Sequence, residues 1–509
     1  MILIIDFGSQ TCHLIARRLK ELGFNCLIVD PEIEEKEIRK KNPAGIIFSG
    51  GPASVYEKGA PLISKEILNL DIPILGICYG WQLIAYLLGG KVAIGKKEYG
   101  PEKIEINKEL EILKGVPRTF KVWLSHGDTV TELPTGFEIV GSTEDVKAAF
   151  CYHPLKRIFG VQFHPEVKHT AFGNQILKNF CQIICGLMSR KKKISVKKII
   201  QEIKNQVGQD KVICAVSGGV DSTIAASLIG RAIGKNLIPV HVASGLMRLG
   251  TKEEVEYIFE KVIKIKPIII SAEDIFLEAL KGVSDPEKKR QIIGRLYIKL
   301  FEKEAKKIEG VKYLAQGTIY SDVIESKGTK NASKIKSHHN VGGLPKKLSL
   351  KLIEPLRFFY KDEVRRIGQR LGLPEELVFK QPFPGPGQAV RIIGEVTKKR
   401  LEKQQLADKI VSEELTKAGY LKKVFQSFPI MTGIKSTAVK GDGRFYGEVV
   451  GLRIYDSIDI MTANWSRIPY DLLQKISSRI VNEVPEISRV VYDITTKPPA
   501  TMEWELLPD

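Results

Sequence analysis

Cys78 stands between two glycines in Gly76-Ile77-Cys78-Tyr79-Gly80. A thiol placed this way after an apolar run has a specific chemical use. The glycines permit the sharp elbow that lifts a nucleophile off a strand end, and the next backbone N–H, that of Tyr79, can face a developing oxyanion. A thiol nucleophile also needs a base. Phe163-His164-Pro165-Glu166 supplies an imidazole and a carboxylate two residues apart. In that arrangement His164 activates Cys78 and Glu166 orients His164. A second oxyanion donor is expected from Ser49-Gly50-Gly51-Pro52, where Gly51 leaves the backbone bare.

A second centre lies in Ser217-Gly218-Gly219-Val220-Asp221-Ser222-Thr223. It lacks the Gly-Lys-[Ser/Thr] of a Walker loop, but the logic is similar. Small residues gather backbone N–H groups at a helix N-terminus, where anions are favoured. Ser217, Ser222 and Thr223 add hydroxyls, and Asp221 suits a Mg²⁺ ion beside phosphates. A lone Gly-x-Cys-x-Gly or a lone Gly-rich turn is commonplace. Both together, with the His-Pro-Glu element, suggest that one centre makes what the other consumes.

The chain must supply elements to position these groups. Its 509 residues suit about three domains. Ile2-Ile5, Cys26-Val29, Gly45-Phe48 and Ile74-Ile77 read as strands, with a helix over Leu14-Leu22, which implies a largely parallel sheet. Hairpins are expected from Ile104 to Val161. A cationic linker, Ser189-Arg190-Lys191-Lys192-Lys193, leads to a helix near Val196-Val207 and a strand at Lys211-Val216 that runs into the Gly-rich loop. Further strands are expected at Leu237-Val242, Pro267-Ile270 and Tyr313-Gln316. Between Ser326 and Leu350 the chain turns polar and basic, as a lid or a disordered segment would. The last unit opens at Pro382-Phe383-Pro384-Gly385-Pro386-Gly387 and holds helices over Leu401-Ala418 and Tyr470-Val484. The fold class is thus α/β: two successive α/β domains with mainly parallel sheets, at 1–188 and 189–381, plus a smaller α+β domain at 382–509.

Composition bounds the partners. The net charge is +19, but the lysines are spread along the whole chain. They read as solvated helix faces rather than a nucleic-acid surface. No stretch is long and apolar enough to span a bilayer, and the N-terminus reads as a first strand rather than a signal peptide. Seven cysteines without disulfide-framework spacing suit a reducing, cytoplasmic setting. Cys181 and Cys185, one helical turn apart, are expected to be buried rather than to bind metal.

Gly76-Ile77-Cys78-Tyr79-Gly80-Trp81-Gln82 and Val161-Gln162-Phe163-His164-Pro165-Glu166 resemble the motifs of the class I, triad glutamine amidotransferases. The resemblance implies Cys78 as nucleophile, His164 as base, Glu166 as its orienter and Gln82 as a glutamine contact. Trp81 stands where that family has a smaller Met. The Ser217–Ser222 loop is similar to that of the N-type ATP pyrophosphatases, which activate an oxygen as an adenylate and release pyrophosphate.

Asp285-Pro286-Glu287-Lys288-Lys289-Arg290, Leu314-Ala315-Gln316-Gly317-Thr318, Ile335-Lys336-Ser337-His338-His339-Asn340 and Lys497-Pro498-Pro499-Ala500-Thr501 resemble the GMP synthase family. That resemblance covers nearly the whole chain. It implies glutamine, ATP and xanthosine monophosphate (XMP) as substrates, Mg²⁺ as cofactor, and a homodimer formed through the C-terminal domain. Arg290, Lys497 and Thr501 would suit the XMP phosphate, and Glu503 a ring N–H. The chain departs from the family pattern at Ala243 and Asn464, where Asp is expected, and in the tail Leu506–Asp509. Two rival readings are another amidotransferase-fed adenylating ligase and a degenerate synthase that binds nucleic acid.

Overall fold

A computed structural model describes the chain except for residues 10, 191–193, 321, 323–349, 441–442, 458–461, 498 and 506–509. The basic segment read over 326–350 therefore lies, Leu350 apart, outside the described residues, as do Pro498 and the tail 506–509.

The first sheet has nine strands: β1 (Ile2–Ile5), β2 (Cys26–Val29), β3 (Gly45–Phe48), β4 (Ile74–Ile77), β5 (Lys91–Ile106), β6 (Thr119–Glu132), β7 (Glu138–Ser142), β8 (Phe150–His153) and β9 (Ile158–Val161). Their order is β2-β1-β3-β4-β9-β8-β7-β5-β6. Pairings from β2 to β9 are parallel, and those from β9 to β6 are antiparallel. β1, β3, β4 and β9 are buried at every position, as strands covered on both faces must be. The expected parallel half is thus joined to an antiparallel half. The hairpins begin at Lys91, well before Ile104, because β5 is largely exposed and shows no apolar run.

The second sheet is wholly parallel. Its strands are β10 (Lys211–Ala215), β11 (Leu237–Ala243), β12 (Ile268–Ser271), β13 (Val311–Ala315) and β14 (Lys351–Ile353). The order β12-β11-β10-β13-β14 puts the chain's reversal beside β10. Ligands of open α/β sheets bind at such a switch point, and the Gly-rich loop leaves β10 there.

The third sheet contains β15 (Gln426–Lys440), β16 (Gly443–Asp456), β17 (Asn464–Trp465) and β18 (Ile487–Tyr492). Helices Lys398–Lys417 and Tyr470–Glu483 pack on it. One apolar cluster runs from Val242, Leu246, Phe276 and Ile293 to Ile410, Ile454 and Ile476. The second and third sheets therefore share a core. The Pro-Gly turn contributes to the seam: Gly387, at φ 67°, lies so close that a Cβ would meet Leu246 O at 2.2 Å.

Candidate active sites

The thiol centre is built at the C-terminal ends of β4 and β9. Cys78 links β4 to the helix Tyr79–Leu87 with φ 51° and ψ −110°, a region that L-residues occupy at a cost of about 1–3 kcal/mol. The flanking glycines make the elbow fit. A Cβ on Gly80 would stand 2.5 Å from Phe48 O, and one on Gly76 would stand 2.9 Å from the carbonyl carbon of Gly80. Tyr79 opens the helix, so its N–H has no intrahelical partner. The Gly50-Gly51 turn faces the same centre: a Cβ on Gly50 would lie 3.1 Å from His164 Cε1 and 3.7 Å from Cys78 Cβ.

His164 Nδ1 and Glu166 Oε1 are 2.7 Å apart, and Glu166 is fully buried. Two groups on the helix Cys12–Glu21 and its approach hold that carboxylate's residue in place. Thr11 Oγ1 donates to Glu166 Oε1 at 2.6 Å, and Arg18 Nε donates to the Glu166 carbonyl at 2.9 Å. Thr170 Oγ1 donates to the His164 carbonyl at 2.6 Å. Burial alone would lower the His164 pKa; the Glu166 carboxylate and Cys78 oppose it, and the net result lies well above the usual histidine value. Nearby His126 goes the other way, to about 4, through burial and the repulsion of His164. Of the two imidazoles, the triad's is the one whose protonated form the site favours.

Gln82 lies behind the nucleophile. Its Nε2 donates to Asp128 O at 2.7 Å and Gln162 Oε1 at 3.4 Å, while Gln162 Nε2 reaches Cys78 Sγ at 3.7 Å. Trp81 points into the core, where a Cβ on Gly160 would meet its Cε3 at 2.0 Å. Its bulk is absorbed by that glycine, away from the thiol.

The second centre has the expected strand–loop–helix form. Gly218 has φ 79°, and the helix Val220–Ile233 carries Asp221 in its first turn. Gly219 N donates to Ser217 Oγ at 3.3 Å, Ser217 N to Ser222 Oγ at 3.3 Å, and Thr223 Oγ1 to Gly219 O at 2.8 Å. Gly317, two residues past the end of β13, packs so tightly that a Cβ would lie 2.6 Å from Ser222 N. Lys361 Nζ contacts both oxygens of Asp221, at 2.7 and 2.6 Å. Mg²⁺ is commonly held by one or two carboxylates plus substrate phosphates, so a single Asp221 fits such a site. Among the described residues no cluster of three or more His, Cys, Asp or Glu side chains forms a metal cage. Ala243 ends β11, and the turn after it is held by Ser244, whose Oγ accepts from Leu246 N at 3.3 Å.

The C-terminal tail gathers three of the four predicted XMP contacts. Arg290, on the helix Pro286–Ala305, pairs with Glu505 and approaches Glu287 at 3.7 Å. Thr501 Oγ1 donates to Glu503 O at 2.6 Å. Both Glu503 carboxylate oxygens accept from Arg391 at 3.2 Å. Lys497 pairs by its backbone with Ala463. Arg453 ties the tail down by donating to the carbonyls of Thr501 at 2.8 Å and Met502 at 3.0 Å.

Thr11, Arg18, Lys361, Arg391 and Arg453 were not singled out from sequence. Each acts across a long separation in the chain and carries no local motif.

A thiol triad on one α/β sheet and a pyrophosphate-type loop on a second define an amidotransferase joined to an adenylating domain. The class-I glutamine amidotransferase family model matches residues 3–184, and the GMP synthase C-terminal domain model matches residues 413–504. The chain is 52% identical to a glutamine-hydrolysing GMP synthase of Aquifex aeolicus, over 99% of both chains. It is 49% identical to one of Clostridium tetani and 51% identical to one of Campylobacter fetus, again over 99% of both chains. The chain belongs to the GMP synthase family.

Proposed function

We propose that this protein hydrolyses glutamine and uses the ammonia to aminate XMP to GMP, driven by ATP. Cys78 attacks the glutamine side-chain amide carbon, the C–N bond breaks, and His164 delivers the proton that lets ammonia leave. Water then splits the thioester and releases glutamate. The N–H groups of Tyr79 and Gly51 face the oxyanion, and Gln82 helps to shape the glutamine pocket. In the second centre the XMP 2-oxygen attacks the α-phosphorus of ATP and displaces pyrophosphate. Ammonia then attacks C2 and AMP leaves. Residues 217–223 bind the phosphates. When bound, Mg²⁺ neutralises phosphate charge, with Asp221 as its protein ligand. Lys361, now paired with that carboxylate, is placed to shift to the phosphates. Arg290, Lys497, Thr501 and Glu503 bind XMP.

The observation that carries the reading is the Cys78 elbow with the His164–Glu166 pair assembled beside it, in a chain that also holds the 217–223 loop. Domain limits near 188 and 381 fit the three sheets. Exposed apolar side chains on the third unit, Ile434, Val439, Tyr446 and Ile494, support a homodimer formed through it. Seven free cysteines support a cytoplasmic protein. The test is incubation with Mg²⁺, ATP, XMP and either glutamine or ammonium, followed by nucleotide separation. GMP and AMP should form from both nitrogen sources, and Cys78→Ala should lose only the glutamine reaction. No GMP from either source would overturn the proposal.

A further inference from the structure

Arg391 is fully buried, yet it lies in the short helical turn Gly387–Arg391 directly after the Pro-Gly segment. Its guanidinium lies 4.0 Å from the ring centroid of Phe428 and 4.8 Å from that of Phe383. Its Nε and one terminal nitrogen donate to the two Glu503 oxygens, both at 3.2 Å. The remaining nitrogen faces Asp408 Oδ1 at 3.9 Å, and Asp408 in turn holds Arg248 Nε at 2.9 Å. Lys289 fixes the backbone that carries Arg391, donating to the carbonyls of Ala389, Ile392 and Gly394 at 3.2, 2.7 and 2.6 Å. The guanidinium is thus clamped by two rings and a locked backbone, with a second carboxylate nearby.

Glu503 is different. It sits on a tail that contributes no strand at this point, and its carboxylate would otherwise be free to rotate. A two-point fork from a rigid guanidinium fixes both the plane and the position of a carboxylate. Each oxygen keeps a further lone pair for a second donor.

We infer that Arg391 is a positioning residue for XMP recognition, holding the Glu503 carboxylate in the plane needed to accept a purine ring N–H. The inference rests on the proposed contact between Glu503 and XMP. Arg391 does not itself touch the nucleotide. Lysine at this position keeps the charge but presents one donor point and no stacking plane.

The test is a double-mutant cycle with Arg391→Lys and Glu503→Gln, reading KM for XMP, KM for ATP and ammonium-driven kcat. Losing the fork should raise KM for XMP about tenfold or more in either single variant, with KM for ATP within about twofold. The double variant should be no worse than the weaker single, because both changes remove one interaction. If Glu503→Gln leaves KM for XMP unchanged, the proposed Glu503 contact fails and the inference fails with it. If Glu503→Gln raises it but Arg391→Lys does not, or the two effects add, the contact stands and Arg391 is structural only. Phe428→Leu, which removes one face of the clamp but no charge, gives a second route should Arg391→Lys not fold. It should raise KM for XMP in a wild-type background and leave it unchanged in Glu503→Gln; equal effects in both would overturn the inference.

Discussion

Glu166→Gln isolates what the triad carboxylate does. The substitution keeps size and shape but removes the charge 2.7 Å from His164 Nδ1. The carboxylate is fully buried, so water cannot replace it. A hydrogen bond to a charged group is worth about 1.5–3 kcal/mol, which is about 10- to 150-fold in rate. Glutamine-driven GMP formation should fall by that factor, while ammonium-driven formation, which bypasses the triad, stays at the wild-type level. The same change has a pH signature. The folded His164 pKa is raised, so its contribution to stability is fully present below about pH 6.5 and is lost as pH rises through the raised value. In Glu166→Gln only Cys78 is left to oppose burial, and that contribution shrinks. The gap in melting temperature between wild type and variant should be widest near about pH 6 and narrow in alkaline buffer. A variant within twofold of wild type on glutamine, or one that loses ammonium-driven activity in step, would refute the argument.

Three further outcomes are expected. Gly160→Ala puts a methyl where the Trp81 ring lies, 2.0 Å from Cε3, and should destabilise by about 1–3 kcal/mol in denaturant titrations; adding Trp81→Met should restore most of the loss. Gly317→Ala drives a Cβ to within 2.6 Å of Ser222 N and should abolish ATP-dependent AMP formation, with glutamate release still measurable. Chelating divalent cations should stop AMP formation from ATP and XMP and leave glutaminase turnover intact, as a metal confined to the phosphate site requires.

Much of this was legible in the sequence because the chemistry is local. β1 to β4 were read at their observed limits, since each is a short apolar run stopped by Asp6, Asp30, Ser49 or the Cys78 elbow. The elbow and the His-Pro-Glu turn carry their own constraints on glycine and proline. β5 was missed because a long, largely exposed ribbon shows no apolar face, and β15 because its buried half, Gln426–Thr432, mixes polar residues and a proline with its apolar ones. The restraints on the site were missed for another reason. Thr11 reaches Glu166 across 155 residues, and Lys361 reaches Asp221 across 140. A single Thr or Lys has no signature until the fold closes. Trp81 was the opposite case: a visible departure, harmless because Gly160 sits opposite it.

The backbone of Cys78 has a consequence for anyone who alters this enzyme. At φ 51° the most comfortable residue is glycine, which is also a dead one. Cys78→Gly should therefore melt above Cys78→Ala, by an amount reflecting a strain of about 1–3 kcal/mol. A library sorted for heat resistance alone would enrich glycine at position 78 and discard the catalysts. Selection for activity must be what holds cysteine there, and any stabilisation campaign on this fold should screen turnover alongside survival.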